Sequence, residues 1–199
     1  MTRYPLLLAA VALLSSAPAR ASEPSFEAQA AQVQAAAVQA NEGRNLSPEI
    51  DGLAREAGRL DRRASELADT VRLIASQARE KDPSRQPRGA EIYRAMNDAD
   101  RLHRDVVTLR EQARRLLGSV DEADRDLSNS SDDLVSAVRD LESSTRELRH
   151  EANASRQDSG ALGGQAYVWA NALADASDRA MIASQVLDDV AYQLSEKLR

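Results

Sequence analysis

The chain has 199 residues, 29% of them charged and only 3% aromatic, with no cysteine and a net charge of −6. The missing cysteines exclude disulfides, thiolate catalysis, iron–sulfur clusters, zinc–thiolate sites and covalently attached c-type haem together. The excess of acid repels phosphate and argues against nucleic acid or anionic lipid as a partner.

The first residues carry a charge at Arg3, an apolar run from Leu6 to Leu14 and the small-residue sequence Ala19-Arg20-Ala21. This is the pattern of a cleavable secretory signal, too short in its apolar part to span a bilayer. Cleavage is expected after Ala21, with Ala17-Pro18-Ala19 as the alternative site. It would remove Arg3 and Arg20 and no acid, taking the net charge from −6 to −8. No cysteine follows the apolar run, which excludes a lipid-anchored lipoprotein. The expected location is the bacterial periplasm or the exterior, and the mature chain contains no further membrane span.

A short helix is expected over 22–45, from Phe26, Ala30, Val33 and Ala37, ending near Asn41 or Gly43. The bundle domain then runs over 46–199. Its first long helix places Leu46, Ile50, Leu53, Ala57, Leu60, Ala64, Leu67, Val71, Ile74 and Ala78 at alternating spacings of four and three. Ser47 reads as its N-cap with Pro48 in the first turn, and the proline-containing stretch Asp82 to Arg88 stops it. A second frame runs from Ile92 through Ala95, Ala99, Leu102, Val106, Leu109, Ala113, Leu116, Val120 and Ala123 to Leu127. The same frame continues through Leu134, Ala137, Leu141 and Leu148, with Ser130 and Ser144 at seam positions.

Ser128 to Asp133 lies between these halves and is rich in capping residues. It is either a tight turn or a polar patch within one helix. The glycine-rich stretch Asp158 to Gly164 precedes a last helix with its seam at Ala166, Trp169, Leu173, Ala176, Ala180, Ala183, Leu187, Val190 and Leu194. No stretch alternates with period two, so no sheet is expected.

The fold class that follows is all-α: an antiparallel up-down bundle of four long heptad-patterned helices plus the shorter N-terminal helix. The alternative is one long continuous central helix with shorter helices packed along it. The apolar stripe widens at Met96, Leu117, Val138 and Val186, as it does on a helix with more than one neighbour, and this favours the bundle. Alanine-rich seams bring helix axes close together and leave little volume for haem or flavin, so no cofactor is expected.

Two acid–histidine pairs, Asp100 with His103 and Glu147 with His150, have the spacing used in carboxylate-bridged di-iron bundles. One has Asp where that pattern has Glu, Asp100 and His150 fall on outward heptad positions, and the histidines lie at different heights. No metal site is expected. Met96 and Met181 could only serve as haem ligands in a cavity that the alanines deny, and Met181 reads as outward. The acids Asp98, Asp105, Asp126, Asp133, Asp140 and Glu147 form one flank suited to arginine partners. No nucleophile–base arrangement is present, so no enzyme is expected. The up-down arrangement gathers Tyr93, Tyr167 and Trp169 at one end as a partner-binding tip. The expectation is an exported interaction, adaptor or scaffold protein of the cell envelope, binding a protein partner or itself through amphipathic helices. The alternative is a periplasmic metal- or small-ligand-binding sensor.

Overall fold

The structure, a computed structural model, describes residues 46–80, 87–120, 127–160 and 163–198. The signal segment expected over 1–21 and the short helix expected over 22–45 lie outside them. The described residues form four long helices: α1 (Ser47–Ala78), α2 (Gly89–Ser119), α3 (Ser128–Ser159) and α4 (Gly164–Leu198). No strand occurs among the described residues.

The helix ends explain where the sequence pattern misleads. Leu46, and not Ser47, is the N-cap of α1, and no side chain caps that end. Ser47 is already helical, and its Oγ lies 3.1 Å from Ser130 Oγ on α3. The break between the second and third helices falls before Ser128, not within Ser128 to Asp133. Helix α2 ends at Ser119, where the Val120 N–H (3.1 Å) and the Ser119 hydroxyl (2.9 Å) both donate to the Leu116 carbonyl. Val120 is extended, with φ −75° and ψ 129°. Val120, Ala123 and Leu127 keep the four–three spacing across this break, which hides it from periodicity. The continuous-helix alternative is thereby excluded.

Side-chain partners fix the direction of each helix pair. Between α1 and α3 the partners stay a near-constant distance apart in sequence: Ser47–Ser130 and Asp61–Ser144 by 83, Arg72–Glu151 and Arg79–Asp158 by 79. These two helices are parallel. So are α2 and α4, joined by Asp100–Arg179 and Leu117–Lys197, 79 and 80 residues apart. Between α3 and α4 one number falls as the other rises, through Asp132–Ser195, Arg139–Asp188, Thr145–Ser184 and Arg149–Asp178, which is antiparallel packing. Helices α1 and α2 are antiparallel as well, bridged by Arg63–Asp105 at 2.5 Å.

The chain therefore runs up, down, up, down, as expected of an up-down bundle. Its order around the bundle is α1, α2, α4, α3. The most extensive contacts join the parallel pairs α1–α3 and α2–α4, and α1–α2 is the loosest of the four interfaces.

The seam positions of α1 are all buried, as are those of α2 from Ile92 to Val120. Helix α3 departs from its expected frame. Its buried stripe is Ser131, Leu134, Val138, Leu141, Thr145, Leu148, Ala152, Ser155 and Ser159, so Ala137 and Ser144 sit beside the seam, not on it. Ser155 and Ser159 are buried with hydroxyls that find no hydrogen-bond partner among the described residues, whereas Thr145 meets a small polar residue of α4. Thr145 and Ser184 are fully buried and share a hydrogen bond of 2.7 Å. One hydroxyl donates to the other, and the receiving hydroxyl donates to a carbonyl of its own helix, Glu142 for Thr145 or Met181 for Ser184, so both polar groups are satisfied.

Candidate functional site

Helices α1 and α3 end where α2 and α4 begin, so one end of the bundle collects the first turns of α2 and α4. Gly89 opens α2, and the Glu91 carboxylate accepts the Arg88 N–H at 3.1 Å. Trp169 on α4 lies across Gly89: a Cβ there would stand 2.6 Å from Trp169 Cζ3. Tyr93, one turn further along α2, meets the Trp169 ring at 5.5 Å between centroids and 55° between planes. This tilted geometry is one that aromatic pairs favour. Trp169 is half-buried and packs on the core.

The structure thus brings Tyr93 and Trp169 into contact. Tyr167 lies two residues before Trp169, so its side chain leaves the helix on another side. It is 45% exposed, close to the 46% of Tyr93. Its neighbour Val168, which sequence reasoning did not single out, is 59% exposed. Half of the exposed large apolar residues described, Tyr93, Tyr167 and Val168 among Leu73, Ile182 and Tyr192, therefore sit at this one end. A signal in the sequence could have found them, since residues 159–174 contain no charged side chain in a chain that is 29% charged. Of the two loops expected at this end, residues 81–86 and 161–162 lie outside the described residues.

The chain matches no protein-family model, no curated protein and no solved structure.

The acid–histidine pairs are taken up by other interactions. Asp100 accepts a hydrogen bond from Arg179 at 2.7 Å. Glu147 and Glu151 both bind Arg72, the latter at 3.0 Å, and these carboxylates hold the Arg72 guanidinium firmly in its charged form. His150 is exposed; His103 is half-buried, with an Nδ1 that has no hydrogen-bond partner. No group of three or more potential metal-binding side chains occurs among the described residues.

Met181 does not face outward: it is buried, with its sulfur 3.5 Å from Arg149 Nη1. The extra buried width of α4, which also takes in Ala170, Ala174, Ala191 and Ser195, draws Met181 into the α3–α4 contact. Three of the five described acids of the expected flank meet arginines, with Asp98 near Arg101, Asp105 on Arg63 and Glu147 on Arg72. Asp126 lies outside the described residues.

Two open grooves of about 370 and 320 Å³ lie along the loose α1–α2 interface, on either side of the Arg63–Asp105 bridge. The first is lined by Glu66, Leu67, Thr70, Glu91, Arg94, Ala95 and Asp98. The Arg59 guanidinium lowers the Glu56 pKa, and Arg110 does the same for Glu111. Burial raises the Asp188 pKa, only partly opposed by Arg139 at 3.8 Å. None of these groups lies at the aromatic end. No helix among the described residues is long and apolar enough to cross a membrane.

Proposed function

We propose that this is an exported interaction or adaptor protein of the bacterial cell envelope, working through surfaces of its helical bundle and not through catalysis. The observation that carries this reading is the concentration of exposed Tyr93, Tyr167 and Val168 at one end, over a Trp169 fixed against Gly89. Large rings presented by a rigid support are the composition of a binding surface, because they bury much area while losing little conformational freedom. The signal pattern in residues 1–21 supports export, and the helix faces supply further contact surface.

The test is covalent cross-linking of the protein in its native envelope, followed by identification of what is attached. A dominant partner lost on Tyr167→Ala is the expected result. Tyr167 is the better probe because Trp169 packs on the core, so Trp169→Ala would also disturb the bundle. A partner that stays attached in folded Tyr93→Ala and Tyr167→Ala variants would remove the end surface from the reading.

A further inference from the structure

From the same end of the bundle we infer that the protein docks on a lipid surface, placing Tyr93, Tyr167 and Val168 at the level of phospholipid headgroups. The inference rests on this end being the working surface and goes beyond it by naming what that surface meets.

Three observations point to lipid. The described first turns of α4, Gly164 to Ala174, carry no charge at all, so no ionised side chain there resists entry into a medium of lower polarity. The exposed side chains are two tyrosines and a valine, with the only tryptophan of the chain behind them. Amphipathic rings of this type concentrate at membrane–water interfaces. The charged groups beside the rings include two of the right sign. Arg88 and Arg94 are exposed and form no ion pair with a described carboxylate, while the acids near them are Glu80, Asp98, Glu91, which accepts the Arg88 N–H, and Asp158, bound by Arg79 at 2.8 Å. Exposed guanidiniums beside an apolar patch suit phosphate oxygens.

The acidic character of the chain does not oppose this. The helices extend roughly 45 Å away from this end, while charges are screened over about 8 Å at physiological ionic strength. An end-on approach therefore leaves most of the acid far from the headgroups.

The experiment uses the exported form, beginning at Ser22, mixed with vesicles of phosphatidylethanolamine and phosphatidylcholine. Co-sedimentation and the emission of Trp169 are read together. As the single tryptophan, Trp169 reports this end alone, and its emission should move to shorter wavelength on binding. The double variant Tyr167→Ser, Val168→Ser keeps residues 22–45 and changes only exposed positions. It should partition about a hundredfold less, about tenfold for the lost burial of each of the two side chains, with an unchanged thermal melt.

Three results would overturn the inference. The first is protein that stays in the supernatant at millimolar lipid with unchanged emission. The second is a double variant that binds as well as the parent. The third is an envelope cross-link to a protein that depends on Tyr167 while vesicles remain inert, which would leave the adaptor reading standing and remove the lipid.

Discussion

Gly89 shows how one residue sets the geometry of the exposed end. A glycine near the start of a helix is ordinarily improved by alanine, which gains up to about 1 kcal/mol from the unfolded state and from helix propensity. Here the added methyl would stand 2.6 Å from the Trp169 ring, a separation at which one of them must move. Overpacking of this kind costs about 1–3 kcal/mol. Gly89→Ala should therefore destabilise the protein in urea titrations, and Trp169 emission should change before any unfolding. A variant more stable than the parent would show that the ring is not held against α2.

Asp188 permits a second test at the same scale. Burial raises its pKa, so the folded chain holds this proton more tightly than the unfolded chain does. Stability from this group is therefore gained as pH falls through the raised folded value, and at neutral pH its ionised form opposes folding. Glu56 and Glu111 act in the other sense: their arginine partners stabilise the fold above the ordinary carboxylate range, and that is lost as pH falls through the depressed values. Both stand partly in solvent, so their share is small. Asp188→Asn should raise stability at neutral pH by about 0.5 kcal/mol and make the acid limb of the stability–pH curve fall more steeply. Denaturant titrations at neutral and acid pH check both signs.

At the scale of the element, the heptad frames of α1, α2 and α4 were legible because Leu, Ile, Val and Ala occupy nearly every seam position. That of α3 was not. Ser131, Thr145, Ser155 and Ser159 lie on its buried stripe, and a polarity pattern places hydroxyls in solvent. For Thr145 it is Ser184 on the facing side of α4 that meets the hydroxyl, and a single helix's sequence cannot show that. Heptads also tell which face of a helix is covered, not which helix covers it, so the side-by-side packing of α1 on α3 had no signature. At the exposed end, Tyr93 and Trp169 were findable as rare aromatics. Gly89 was not, because its role is a contact across two helices.

The parallel pairing of α1 and α3 can be tested directly because the chain has no cysteine of its own. Ser47 and Ser130 have hydroxyls 3.1 Å apart, close enough that paired cysteines would need little adjustment to bond. The double variant Ser47→Cys, Ser130→Cys should form an intramolecular disulfide under mild oxidation. Closing a loop of this length should stabilise the fold by up to about 4 kcal/mol, less any strain. If the thiols stay free in folded protein, the register between these helices is wrong.

The whole molecule inherits its cooperativity from that pairing. Helices next to each other in sequence, α1 and α2, share the loosest interface, bridged by Arg63–Asp105 and flanked by open grooves. Their main partners, α3 and α4, lie about 80 residues further along the chain, as the spacings of 79 and 83 record. The first half therefore leaves its seam largely uncovered until the second arrives. A lone helix in water gains most of its stability from tertiary burial, so a hairpin with a poor internal contact has little to hold it. The fragment 46–120 should show partial helicity by circular dichroism without a cooperative melt, and should regain one when mixed with 121–199. A sharp, independent transition in 46–120 would mean that α1 and α2 bury each other more completely than the open groove between them allows.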